Sequence, residues 1–330
     1  MPVSGCGRWY GRRSPPYASK PCFAGGPRAR YPIAFSRSAI GDALRSGGMF
    51  TVTKLLNWAA GNVDRIVVGK LLGASALRYY SRASSLMLTL NQLLGTGAMR
   101  VLFSTFSRMQ DDRARLTSGF DRALSTGLIG STLASVFVVM FADLIVDVLL
   151  GPGWQSATPL MQALFAAFVA RSGYVVAEAV PLALGLGRQS AVRQAIHLVL
   201  VCAGAVTGAR YALVGAAVGI AIAYWIFYLI CLGLVMRLID VSLGRLFRIH
   251  SSALLVALPP GVIAAGAAWL LGPGQSLMLR LVPPLLFGAI AVFMIAFGPA
   301  SLLSQDLARI RQTAIGHIRS RLARQGRAAV

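Results

Sequence analysis

Eight apolar stretches recur along this chain from Ser46 onward: 47–66, 79–106, 123–150, 157–186, 190–209, 211–237, 250–272 and 279–303. Each matches or exceeds the ~20 residues that an α-helix needs to cross the hydrocarbon of a bilayer. In lipid every backbone N–H and C=O has to be satisfied within the spanning element. Runs of this length therefore imply helices rather than the ~10-residue strands of a barrel. The third and fourth runs are longer than a span requires, so they need tilt, a kink or an extension beyond the hydrocarbon. Composition agrees: 56% of the 330 residues are hydrophobic and 13% charged, with mean hydropathy +0.67. A soluble domain is roughly 45–50% apolar and about 25% charged, so this surplus cannot be hidden in one water-soluble core. The expected fold class is all-α, a polytopic membrane protein of about eight transmembrane helices.

The formal charge of +22 and a pI near 11.4 would suggest nucleic acid if they came from one basic domain. They do not. Basic residues fall in short clusters between the apolar runs, and almost all are arginine, with lysine only at Lys20, Lys54 and Lys70. Residues 1–45 are rich in Arg, Pro, Gly and Ser, with no apolar core of signal-peptide length, and are expected to form a mostly disordered tail. Residues 46–310 form the transmembrane domain and 311–330 a second basic tail. Alternate connections sort the charge. One side holds 23 Lys and Arg, in the two tails and the second-to-third, fourth-to-fifth and sixth-to-seventh connections, with Arg188 and Arg193 placed in the fourth-to-fifth. The other side holds six: Arg65, Lys70, Arg78, Arg82, Arg210 and Arg280. Lys54, Arg100 and Arg171 lie within spans. The positive-inside rule then puts both termini in the cytoplasm.

No catalytic constellation accompanies these helices. Cys6, Cys22, Cys202 and Cys231 lack metal-ligand spacing, and His197, His250 and His317 have no Cys or carboxylate cluster beside them. No Ser-His-Asp order, phosphate-cradling glycine loop or paired-carboxylate site is present in a soluble context. The reading is a protein that is not an enzyme and takes no cofactor or metal.

Polar residues inside a bilayer are costly and usually face a cavity or a partner. In the first span Lys54, Asn57, Gly61, Asp64 and Arg65 follow i, i+3, i+7, i+10 and i+11, which is one helical face. In the second, Arg82, Ser85, Thr89, Gln92, Thr96 and Arg100 share a narrow arc. The fourth adds Arg171, Tyr174 and Glu178 at i, i+3 and i+7. Three such stripes can enclose a wet cavity. Lys54, Arg82, Arg100 and Arg171 against Asp64 and Glu178 make that cavity cationic and suit an anionic headgroup. Structural alternatives stand beside this reading. Asp64 and Arg65 can mark the membrane surface, the hydroxyls can be packing residues bonded to backbone carbonyls, and Arg171 with Glu178 can form a cross-helix pair. The last four spans look like packing helices, with almost no ionisable residue beyond His197 and His250.

Asn62 to Ala83 reads NVDRIVVGKLLGASALRYYSRA, followed by VLFSTFSRMQDD at 101–112 and LLGPGWQSATPLMQAL at 149–164. These ordered motifs resemble the second half of polysaccharide-type flippases, for lipid-linked oligosaccharide and lipopolysaccharide biosynthesis. Those flippases belong to the superfamily of multidrug, oligosaccharidyl-lipid and polysaccharide exporters. The resemblance covers about residues 35–310. Arg78 departs from the more usual Gly before Tyr79, and Ser104 from the usual Pro. Such flippases have two bundles of six helices, often with two more at the end. Here the motif that opens the second bundle lies in the first span, so the eight helices correspond to the second bundle plus the two extra ones.

The resemblance implies alternating access by two bundles around a central cationic cavity that takes a polyprenyl-pyrophosphate-linked glycan across the bacterial inner membrane. Cavity-lining candidates are Lys54, Asn57, Asp64, Arg82, Gln92, Arg100, Arg171 and Tyr174, with Glu178 as the candidate for ion or proton coupling. Implied partners are the lipid-linked glycan, membrane lipids, glycosyltransferases and a polymerase of the same pathway. The missing first bundle implies either a second chain or a truncated, inactive gene product. The alternatives are a multidrug extruder of the same superfamily and a non-transporting membrane subunit of polysaccharide assembly.

Overall fold

Apolar length sets the helices of this chain, and glycine, proline and a few capping residues set where they break. The computed structural model describes residue 48 and residues 51–92, 97–271 and 277–297, all within a unit that spans Arg45–Val330. Helix α1 (51–60) ends at the turn Gly61–Asn62, where the Asn62 side-chain Nδ2 donates to the Trp58 carbonyl at 2.7 Å. Helix α2 (Val63–Asn91) is broken in the middle at Gly73, whose φ of 85° is a left-handed-side conformation that a Cβ would resist. Then come α3 (Gly97–Met109), α4 (Arg113–Met140), α5 (Ala142–Leu149), α6 (Thr158–Ala166), α7 (Phe168–Ala183), α8 (Gly187–Ala209), α9 (Ala212–Leu238), α10 (Leu243–Leu271), α11 (Leu277–Arg280) and α12 (Val282–Phe297).

The all-α, multi-pass membrane architecture holds. Among the described residues, six helical stretches are long and apolar enough to cross a membrane: Arg113–Met140, Gln155–Ala183, Gly187–Ala209, Ala212–Leu238, Leu243–Leu271 and Met278–Phe297. The first two expected spans correspond to interrupted and more highly charged helices. The expected run 47–66 becomes α1, a turn, and the part of α2 before Gly73. The run expected at 79–106 starts at Gly73 and continues into α3, with 93–96 outside the described residues. The excess length of the third and fourth runs is taken up by breaks. Asp112 accepts from the Arg115 amide at 3.1 Å and starts α4 about ten residues earlier than expected, and Phe141 separates α4 from α5. Ala167 separates α6 from α7. The tails expected at 1–45 and 311–330, and the end of the last span, lie outside the described residues.

The core is built around α7, α6 and α9, whose Phe165, Phe168, Tyr224, Phe227 and Tyr228 are buried. Helices α8 and α9 form the tightest pair, because glycines face each other. A Cβ at Gly204 would meet the Gly219 carbonyl, and one at Gly208 the Gly215 carbonyl. Small residues of this kind let backbones approach where lipid offers no hydrophobic drive for association. Helix α12 packs on α10 and α4 through Phe287 against Phe137 and Phe141. Polar links cross between helices: Ser135 donates to the Phe165 carbonyl at 2.6 Å and Gln162 to the Val139 carbonyl at 3.2 Å.

Four positively charged residues sit differently from expectation, Arg122 among them, nine residues into α4. Arg193 lies inside α8 and is buried, not in the fourth-to-fifth connection. Arg65 and Arg82 stand eight and nine residues from Gly73, roughly 12 Å of helix rise, so they lie within helices rather than at a surface. Removing them widens the basic asymmetry. One end keeps Arg108, Arg113, Arg115, Arg188, Arg237, Arg245 and Arg248, and the other keeps Lys70, Arg78, Arg210 and Arg280.

Candidate functional site

The motif residues quoted from the sequence meet in space. Asp64, one residue into α2, is buried and accepts from the Tyr80 hydroxyl at 2.7 Å and from the Arg65 amide at 2.8 Å. Arg65 reaches the Ser84 hydroxyl at 3.4 Å. The break at Gly73 folds the second half of α2 back so that the segments NVDR and RYYSRA bond each other. The 149–164 motif closes on the same 62–83 segment. Tyr79 packs edge-on to Trp154 with ring centroids 5.4 Å apart, and the Arg78 guanidinium lies 4.9 Å from the Trp154 ring. Gly151 and Gly153, with φ of 83° and 87°, make the turn that presents Trp154. Arg78, the departure from the family pattern, thus has a cation–π role.

Arg171 enters the same region from α7. It is buried, donates to the Tyr224 hydroxyl and lies 5.0 Å from that ring. It is near enough to Asp64, Tyr80 and Tyr174 for their charges and dipoles to interact. Tyr174, also buried, packs on His197 and Phe227 with ring centroids 5.5 and 5.2 Å away, and the exposed Asn57 of α1 stands near it. His197 from α8 stacks on Phe227 at 4.1 Å and meets Tyr224 edge-on at 5.2 Å. Among the described residues neither His197 ring nitrogen has a hydrogen-bond partner, and the same is true of Arg171 Nε and Gln194 Oε1. Each unsatisfied buried group costs about 1–3 kcal/mol. A cluster kept at such cost in an apolar bundle is a functional candidate before it is a structural one.

The polar stripes therefore converge in part. Asn57, Asp64, Arg171 and Tyr174 come together with Tyr80, Tyr224 and His197. Lys54 and Arg82 do not join them: both are exposed, on α1 and on the second half of α2. Beside them Leu55 and Trp58 are 61% and 67% exposed, so this face carries cation and bare apolar surface together. Gln92 is exposed at the end of α2. Arg100 lies on α3 with its side chain outside the described residues, and Thr96 is outside them altogether.

The structure bears on the structural alternatives. The Asp64 side chain is buried among the helices. Ser85 and Thr89 do bond backbone, donating to the Arg82 and Ser85 carbonyls at 2.9 Å each. The third alternative, an Arg171–Glu178 pair, does not form. Glu178 is held by Arg193, whose Nε and Nη2 stand 3.0–3.2 Å from its two oxygens, while Arg193 also donates to the Ser190 hydroxyl at 2.9 Å. The view of the last four spans as holding almost no ionisable group beyond His197 and His250 left out Arg193, which is buried in α8. The signal was an arginine three residues inside an apolar run, read as part of a connection because Arg188 stood close by. Tyr80 was within a quoted motif, but its pairing with Asp64 depends on the Gly73 break, which no periodicity announces.

Comparison with known proteins bears on the fold and on the segment that carries the motifs. A family model described as polysaccharide biosynthesis protein matches residues 26–159. The lipopolysaccharide biosynthesis protein WzxC of Escherichia coli is 27% identical over 140 residues, covering 42% of this chain and 28% of its own length. The amylovoran biosynthesis protein AmsL of Erwinia amylovora is 25% identical over 157 residues, 48% of this chain and 37% of its own. The teichuronic acid biosynthesis protein TuaB of Bacillus subtilis is 23% identical over 132 residues, 40% and 27%. The matches thus span about a third of those relatives. The solved lipid II flippase MurJ, in an inward closed conformation, shares the fold with a TM-score of 0.62 at 15% identity, over 79% of this chain and 55% of that one. The chain is thus similar to polysaccharide biosynthesis proteins over the segment that carries the quoted motifs, and it shares the fold of a solved lipid II flippase over most of its length.

Proposed function

We propose that this chain forms the second helical bundle, with two additional helices, of a flippase that moves a polyprenyl-pyrophosphate-linked oligosaccharide across the bacterial inner membrane for polysaccharide biosynthesis. The observation that carries the reading is the buried Asp64–Tyr80 and Arg171–Tyr224 cluster, held without full hydrogen bonding inside a fold shared with a lipid II flippase. Polar groups of that kind within apolar helices are kept for transport pathways and gates.

The division of labour follows from exposure. Lys54 and Arg82 stand on the open face of α1 and α2, within the depth of the helices, where a charge exposed to lipid costs about 2.5–3.5 kcal/mol on insertion scales. A second bundle covering that face turns both cations toward a shared aqueous cavity, where they meet the pyrophosphate of the substrate. Asn57, exposed on α1 beside that face, supplies neutral hydrogen bonds to sugar hydroxyls, with the buried Tyr174 behind it. The Asp64–Arg171 cluster sits behind them at the junction of α2, α7 and α9, and is the element whose rearrangement accompanies rocking of one bundle against the other. Both termini lie in the cytoplasm, on the basic side.

The test is complementation in a strain lacking its polysaccharide flippase. Residues 1–330 alone are expected to give no surface polysaccharide, and co-expression with the first six helices of such a flippase is expected to restore it. In that pair, Lys54→Ala with Arg82→Ala should abolish transport at unchanged abundance. Full complementation by the chain alone, purified as a monomer, overturns the two-bundle account. Unchanged transport by the double variant overturns the cationic cavity.

A further inference from the structure

At the basic end of the bundle α8 and α9 part to leave a cleft of about 710 Å3, far from the glycines that hold them together near the opposite end. Its rim is formed by Arg188, the second residue of α8, and Arg237, one residue before the end of α9. Both are exposed, and among the described residues neither has a carboxylate within ion-pair distance. Gln189 adds a side-chain amide beside them. One to two helical turns deeper the lining becomes apolar, with Val192 on one helix and Ile230 on the other, 56% and 38% exposed. Arg193 closes the inner wall, already neutralised by Glu178. The cleft therefore has two unmatched guanidiniums over an open apolar floor, ordered along the membrane normal as a phospholipid orders its phosphate and its chains.

We propose that this cleft is a binding site for an anionic diacyl phospholipid of the surrounding leaflet. Arg188 and Arg237 clamp the phosphate, and the acyl chains lie along Val192 and Ile230. Charge complementarity argues for that occupant over a zwitterionic lipid. Basic pockets between transmembrane helices on the cytoplasmic side recognise anionic headgroups, and guanidinium is suited to bidentate phosphate contacts. The continuous apolar floor argues against a soluble phosphate, which would leave it bare. The inference needs only the membrane embedding and is independent of the transport reading.

The experiment is thermal unfolding of the full chain in detergent, titrated with phosphatidylglycerol, phosphatidylcholine or inorganic pyrophosphate. Phosphatidylglycerol is expected to raise the unfolding temperature by several degrees and the other two to leave it in place. R188Q/R237Q should unfold like the parent without lipid and lose the shift. A control pair at the opposite end, K70Q/R210Q, should keep it. The proposal is overturned if the parent shows no shift, if R188Q/R237Q shifts like the parent, if the control pair loses the shift equally, or if pyrophosphate stabilises as well as the lipid does.

Discussion

A carboxylate inside a bilayer persists beside something that answers its charge, and for Glu178 that partner is Arg193. The pair is buried, doubly hydrogen-bonded and tied to Ser190. A buried ion pair adds little net stability over apolar residues of similar size, but breaking it leaves a stranded charge at a cost of about 3–5 kcal/mol. Arg193→Met alone should therefore sharply lower the unfolding temperature in detergent. Glu178→Leu combined with Arg193→Met should recover most of the loss. The same geometry bears on coupling. A carboxylate clamped by guanidinium has to release it before taking up a cation, whereas Asp64 is bonded to a neutral hydroxyl and one amide. In the assembled transporter Asp64→Asn is thus expected to impair transport more strongly than Glu178→Gln does at equal abundance. The reverse order, read by surface polysaccharide per unit of protein in the membrane, would return the coupling role to Glu178.

At the scale of the helix, the α8–α9 hairpin has the least tolerance. A methyl group at Gly208 or Gly219 would collide with backbone on the facing helix, which cannot move as a side-chain tip can. Overpacking of this kind costs about 1–3 kcal/mol. Gly219→Ala should lower the unfolding temperature and Gly219→Leu should prevent accumulation of folded protein. Gly233→Ala, with nothing within 4 Å of the added carbon, should be silent. Equal behaviour of Gly219→Ala and Gly233→Ala would show that the hairpin is looser than its geometry. This level also marks the boundary of what the sequence made legible. Helix type and approximate position follow from apolar length, because lipid leaves the backbone one way to satisfy itself. The breaks at Gly73, Phe141 and Ala167 do not follow. Glycine in a membrane helix serves packing as often as turning, and a Phe or Ala at a break is indistinguishable in composition from its neighbours. Because the Gly73 break brings Tyr80 to Asp64, that pairing was hidden with it. Asn57, Asp64, Arg171 and Tyr174 were legible, since helical spacing put them on shared faces and their cost in lipid singled them out.

For the whole molecule, orientation rests on where the helix ends place their arginines. Antiparallel succession of the helices puts the α3–α4, α7–α8 and α9–α10 connections at one end, with Arg108, Arg113, Arg115, Arg188, Arg245 and Arg248. The α4–α6, α8–α9 and α10–α12 connections lie at the other, with only Arg210 and Arg280. Part of the charge at each end is matched locally: Arg245 is paired with Asp121 and Arg280 with Asp147, at 3.1 and 3.0 Å. Acidic partners contribute little to orientation, which follows the count of Lys and Arg in short connections. The uneven ends should therefore fix topology despite those pairs. Reporter fusions after Arg115 and after Arg245 are expected to report cytoplasm, and a fusion after Trp154 periplasm. Replacing Arg108, Arg113 and Arg115 with Gln should leave the orientation unchanged, because Arg188, Arg237, Arg245 and Arg248 still mark the same end. A cytoplasmic signal at Trp154 in the parent would reverse the assignment, and with it the side on which the α8–α9 cleft meets the leaflet.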